Sequence, residues 1–203
     1  MEHASIASFG QFALQLLSIG APAELIERAH LAALDEIEHA RICFALASAY
    51  GSERYGPGPL DAITGGFASE IEAVVCANVE EGCVGETLSA LEAKEAATRA
   101  VDPTVKAALE AIAFDEDQHA QLGWSVWGWA LQAAPQVHAP SEAAFQRAVD
   151  ETGAGLPDDA TGQELEPHGR LANHTRKALA LRNIDEVLVP AKKRLLGEAI
   201  RRR

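Results

Sequence analysis

Apolar residues recur along this chain at intervals of three and four, and extended alternation of Val, Ile and Thr at intervals of two is absent. At the start of the chain Ile6, Phe9, Phe12 or Ala13, and Leu16 make one stripe, which predicts a helix with a single buried face. Gly20-Ala21-Pro22 breaks it. A second helix is expected over residues 22–50, with proline in the first turn, where its missing N–H costs nothing. It should stop at Gly51, ahead of a loop over residues 51–60 that carries Gly-Pro-Gly-Pro. A third helix is predicted over residues 67–99 on the stripe Ile71, Val74, Val84, Leu88 and Leu91. Asp102-Pro103 marks the next turn, with Asp102 as N-cap. A fourth helix then runs to about Ala133, short of Pro135.

The pattern therefore gives an all-α chain built from two helical hairpins. Each has a short proline-containing turn, which makes its helices antiparallel neighbours, and a longer loop joins the pairs. Residues 1–134 are expected to form this four-helix bundle. Residues 135–203 are expected to be a loop-rich connection, with a short helix near 141–151, and a C-terminal capping helix over 171–200 packed on the bundle. Pro190 should interrupt or kink that last helix.

Composition fits a helical chain. Hydrophobic residues make up 48% and aromatics only 5%, and the frequent alanine favours helix and close helix approach. A net charge of −13 repels phosphate backbones, so nucleic acid is not an expected partner. The basic runs Lys192-Lys193-Arg194 and Arg201-Arg202-Arg203 read as favourable charge at a helix C-terminus. Cys43, Cys76 and Cys83 fit no zinc spacing, and Cys43 and Cys76 sit in apolar patterns as small hydrophobes. No apolar run is long enough to span a membrane. With no signal peptide in this sequence, a cytoplasmic location is the default, and the reading allows for a natural chain longer at its N-terminus.

The chemistry lies in a repeat. Asp35, Glu36, His39 and Ala40 of the second helix return in the fourth, in the same order and spacing, as Asp115, Glu116, His119 and Ala120. The turn prolines Pro22 and Pro103 precede the motif glutamates by almost equal lengths of chain. The hairpins thus read as two copies of one unit. Glu36 and His39, three residues apart, share a helix face with Ala32 and Cys43, and Glu116 and His119 share one with Ile112 and Gly123. Buried carboxylate and imidazole are costly unless paired or metal-bound. The first helix of each hairpin offers a further carboxylate. Glu2 lies on the Ile6 stripe and Glu81 on the Val84 stripe, and Glu2 precedes Glu36 by nearly the same interval as Glu81 precedes Glu116. Glu86 is the competitor, about 140° round an α-helix from Glu81, and is held in reserve.

One Glu from each of two helices plus a Glu-x-x-His from each of two others resembles the ferritin-like di-iron carboxylate superfamily, including the rubrerythrins and bacterial di-iron oxygenases. The resemblance covers residues 2 to about 133 and implies a ferritin-like antiparallel four-helix bundle. It implies two iron ions, or manganese, held by Glu2, Glu36, His39, Glu81, Glu116 and His119, with Glu36 and Glu116 bridging. Carboxylate oxygen with some imidazole suits these metals. Asp35 and Asp115 would hydrogen-bond the ligand imidazoles and fix their tautomers.

The implied activity is that of an oxidoreductase acting on dioxygen or peroxide with a small-molecule substrate or reductant. A ferroxidase or storage protein, a non-catalytic metal-binding bundle, and metal-free buried salt bridges are the alternatives. A homodimer is among the assemblies allowed. Cys43 and Gly123, one helical repeat beyond the ligands, would either leave room for a small molecule or serve close helix packing, the simpler use. Trp124, Trp127 and Trp129 read as core fillers. His3, His30, His138, His168 and His174 read as structural or exposed.

Overall fold

The structure, a computed structural model, describes residues 2–60 and 67–201, apart from the side chains of Glu2 and Ile200. Among the described residues every regular element is helical, and no helix is long and apolar enough to cross a membrane. The chain forms two compact units, Met1–Glu70 and Ile71–Arg203.

The first unit is a hairpin of α1 (Glu2–Ser18) and α2 (Ala23–Gly51). The turn between them is a glycine-capped helix end. Gly20 adopts φ +70°, Gly20 N–H donates to Leu17 O and Ala21 N–H to Leu16 O, so two carbonyls at the end of α1 are satisfied. The buried face holds the predicted stripe, with Phe9, Ala13 and Leu16 of α1 nearly sealed from solvent. Ala29, Ala32 and Ala40 do the same for α2. Small side chains at these positions let the two helices lie close. α2 ends where expected, with Ser52 in the left-handed region.

The second unit begins with one long helix made of three pieces: α3 (Ile71–Asn78), a π-helical stretch Val79–Gly85, and α4 (Glu86–Arg99). It starts four residues later than the periodicity predicts. α5 (Pro103–Ala133) returns antiparallel, and Asp102 caps it as expected, accepting N–H bonds from Thr104 at 2.7 Å and Val105 at 3.4 Å. α6 (His138–Gly155) is longer than the short helix expected there. α7 (Asn173–Asn183) passes through a second π turn, Ile184–Leu188, into α8 (Val189–Arg201). Pro190 thus interrupts the α pattern without ending the helix. The wide turn precedes a residue that can donate no backbone hydrogen bond.

Residues 135–203 share one core with α3–α5. Trp127, Leu131, Val137, Phe145 and Leu188 are all at most 1% exposed and pack together. Trp127 Nε1 donates to Ser141 Oγ at 2.9 Å, and its ring stacks on Phe145, with centroids 5.9 Å apart. α6 contributes Ala144 and Phe145 to this core, and Val137 joins it from the turn just before the helix.

Glu166 ties the connection to the helices. It accepts from Thr175 Oγ1 at 2.6 Å, from Ala172 N at 3.2 Å and from Arg99 Nη1 at 2.7 Å. These bonds, the Thr175 hydroxyl first, hold its carboxyl below the usual glutamate range. A depressed carboxylate stabilises the fold above its unfolded-state pKa and loses that contribution as pH falls through the folded value. Glu166→Ala should therefore cost about 2 kcal/mol at neutral pH. It should also flatten the acid limb of a stability–pH curve below about pH 4.5, measured by urea unfolding. An acid limb of unchanged slope would rule this out.

Candidate metal centre

Each unit contains one Glu–His pair. In α2, Glu36 is 2% and His39 1% exposed, with Glu36 Oε2 3.7 Å from His39 Nδ1. In α5, Glu116 is 8% and His119 2% exposed, with Glu116 Oε2 3.6 Å from His119 Nδ1. Both separations exceed a direct hydrogen bond. The three-residue spacing puts each pair on one face of its helix. All four polar side chains are buried on the apolar stripes of their own helices. Asp35 and Asp115, next to each glutamate, are both half-buried.

The carboxylates expected from the partner helices fare differently. Glu2 belongs to α1, but its side chain lies outside the described residues. Glu81 is exposed. Desolvation on its helix face, then the charge of Glu80, pushes its carboxyl upward. Glu86 is half-buried.

The π stretch explains the contrast. Glu86 N–H donates to Glu81 O, a bond spanning five residues instead of four. One extra residue in the turn shifts later side chains by about 100° relative to α-helical phase. The angle expected between Glu81 and Glu86 assumed an uninterrupted α-helix, so that separation does not hold.

Axial register separates the two further. The π stretch touches α5 backbone to backbone at Gly82 and Gly123, where a methyl group on Gly82 would stand 3.3 Å from Gly123 Cα. Four residues on from Gly82 is Glu86, and four residues back from Gly123 is His119. In an antiparallel pair these two stand level. Glu81 stands instead at the level of Trp124.

Asn78, which carries no signal in the motif pattern, is 4% exposed and donates from Nδ2 to Gly123 O at 2.9 Å. Thr87 Oγ1 accepts from Trp124 Nε1 at 3.1 Å. Both bonds fix the same register. A lone Asn four residues before a Gly in an apolar stripe was the one local hint.

Gly123 makes close packing and leaves no space for a small molecule, since the space beside it is filled by Gly82 backbone. The fully buried thiol is Cys83, whereas Cys43 and Cys76 are half-buried. Burial pushes the Cys83 thiol well up, so it stays protonated. Among the other histidines, His3 Nε2 donates to Gly58 O at 3.1 Å, His138 Nε2 to Leu131 O at 3.1 Å and His174 Nδ1 to Asp159 O at 3.1 Å, while His30 and His168 are exposed. All five fit structural or surface roles.

Glu86→Gln and Glu81→Gln discriminate the two partner carboxylates. If Glu86 serves the site, Glu86→Gln lowers metal affinity by about tenfold or more, and Glu81→Gln leaves it within about twofold. The reverse order, read by competition with a chelating dye, would return the role to Glu81.

No protein-family model, no curated protein and no solved structure matches this chain.

Proposed function

We propose that the chain is a di-metal carboxylate protein with an oxidoreductase role toward dioxygen or peroxide. In this reading α1, α2, the α3–α4 helix and α5 assemble as a ferritin-like four-helix bundle, and the two Glu–His pairs face one another in its interior. The observation that carries it is the matched burial of two pairs from repeated sequence motifs, with Glu–His separations of 3.7 and 3.6 Å.

The donor set fits a first-row divalent metal. Two donors bound to one ion at about 2.0–2.2 Å each stand roughly 3–4 Å apart, which is the spacing within each pair. Carboxylate and imidazole without thiolate suit iron or manganese. Glu36, Glu116, His39 and His119 would hold the metals, and Glu2 and Glu86 would complete the set, with Glu86 preferred to Glu81 on register and burial. Four carboxylates then balance two divalent charges, so the interior carries no large net charge.

A bound redox metal supplies one-electron steps that the side chains cannot. The chain's own residues do the rest. His39 and His119 act as neutral imidazole donors. Asp35 and Asp115, next in sequence to Glu36 and Glu116, would accept the other ring N–H and hold the tautomer. The buried faces of α1 (Phe9, Ala13, Leu16) and α2 (Ala29, Ala32, Ala40) exclude bulk water.

Protein made in iron-replete medium is expected to carry about two metal ions per chain. Ferrous loading then separates oxidoreductase from storage. Oxidation and retention of about two equivalents favours the enzyme reading, and oxidation of many equivalents into a mineral core favours storage. A metal-free protein whose stability iron and manganese leave unmoved would sink the di-metal reading.

A further inference from the structure

We propose that the first unit carries a binding cleft for a small aromatic carboxylate, formed between the α1–α2 hairpin and the Gly-Pro-Gly-Pro loop. The cleft has a volume of about 630 Å³, within the range of small-ligand pockets. Its walls are Ile6, Ile37, Phe44 and Tyr55, and its charged groups are Arg41 and Arg54.

The loop over it is held in place. Ser48 Oγ accepts the Tyr55 N–H at 2.9 Å and donates to Phe44 O at 2.7 Å. His3 Nε2 donates to Gly58 O from the α1 side. The Tyr55 ring lies against Gly51, where a methyl group would stand 2.6 Å from Tyr55 Cε2. Glycine at the end of α2 is therefore what lets the tyrosine fold back. The His3 ring meets Phe44 edge-on, with centroids 6.2 Å apart. Side chains from α1, α2 and the loop thus hold the lip of one concavity.

Charge selects the ligand. The segment Met1–Glu70 contains three arginines and no lysine, and two of those arginines line this cleft. Arg41 is paired with Glu38 on the surface, where both side chains are more than half exposed. Such a pair is weak and leaves guanidinium donors for a ligand. Arg54 forms no ion pair among the described residues. A guanidinium fork matches a carboxylate in two parallel hydrogen bonds. The rings of Phe44 and Tyr55 provide flat apolar walls for an aromatic body. The unit is acidic overall, which favours a monoanion over a doubly charged phosphate ester.

This binding does not rest on the metal reading. On α2 the cleft is lined by Ile37, Ala40, Arg41, Phe44, Ala45 and Ser48. Neither Glu36 nor His39 lines the cleft.

The test titrates the full chain as purified with 2-naphthoate, 2-naphthamide and 2-naphthyl phosphate, followed by ligand fluorescence and calorimetry. One site per chain is expected, with the acid bound at least about tenfold more tightly than the amide. Arg41→Ala and Arg54→Ala should each weaken the acid by about fivefold or more and leave the amide unchanged. Tyr55→Leu should weaken acid and amide together. A chelator should leave all three affinities unchanged. Circular dichroism checks the fold, which loss of two surface arginines should not disturb, and Arg54→Gln provides a second variant of similar size. Equal affinity for acid and amide, or acid binding unaltered in the double arginine variant, overturns the proposal. Tighter binding of the phosphate than of the acid overturns the carboxylate assignment.

Discussion

Glu36→Gln and Glu116→Gln should each remove metal binding while leaving the metal-free protein as stable as before, or more so. The glutamine keeps the shape of the side chain and removes a charge that is 2% exposed in one case and 8% in the other. A buried carboxylate has given up most of its hydration, a cost that a neutral amide of the same shape lowers. In the unsubstituted chain, metal at about one hundred times its dissociation constant should add about 2.7 kcal/mol. For a domain of this size that is a rise in Tm of about 5–10 °C. Neither variant should show it. Calorimetry with and without ferrous or manganous ion reads both halves of the prediction. If the pairs were metal-free salt bridges, the outcome inverts. Removing either glutamate would then leave its histidine without its partner and lower stability by about 3 kcal/mol or more, and metal would move neither form.

The second large effect is expected at the helix crossing. Gly123→Ala places a methyl group 2.5 Å from Gly82 C, 2.7 Å from Gly82 O and 2.9 Å from Cys83 N. All three obstructing atoms are backbone, so no rotamer change relieves them. The helices must part, and the Asn78–Gly123 hydrogen bond at 2.9 Å must lengthen. A loss of about 3 kcal/mol or more is expected, or roughly 6–12 °C in Tm.

Gly82→Ala makes the comparison sharp. Its new methyl group meets Asn78 Oδ1 at 3.0 Å and Gly123 Cα at 3.3 Å, contacts that shifts of a few tenths of an ångström relieve. Helix propensity returns up to about 1 kcal/mol, so this variant should lose about 1 kcal/mol at most. Thermal melts of the two side by side decide it. A Gly123→Ala protein no less stable than Gly82→Ala would refute the crossing as the pivot of this unit.

Local rules made much of the chain legible. The stripe of Phe9, Ala13 and Leu16, the stop at Gly51 and the cap at Asp102 each depend on a few neighbouring residues. Glu36 with His39, and Glu116 with His119, were readable for the same reason. A spacing of three on a helix fixes a shared face whatever the helix packs against.

The features that were not legible depend on contacts distant in sequence. The separation of Glu81 from Glu86 followed from α-helical phase, and the wide turn over Val79–Gly85 cancels it. That turn is tied to the contact of Gly82 with Gly123, a residue on the next helix. The same contact decided between the two uses considered for Gly123. Cys76 was expected in the apolar pattern but is half-buried, and Cys83, across the same stretch, is the buried thiol.

The sequence by itself determined that this protein is helical, where its hairpin turns fall, and which two Glu–His pairs share a face. Each of these is set by backbone geometry over one or two turns. Only the tertiary structure decided which partner carboxylate stands level with His119, that Gly123 is a packing residue, and that Arg41 and Arg54 line one cleft. In each case the deciding free energy comes from groups that meet only after the chain has folded back on itself. A π turn or a glycine contact differs too little in local energy from its α-helical alternative to leave a mark in the sequence.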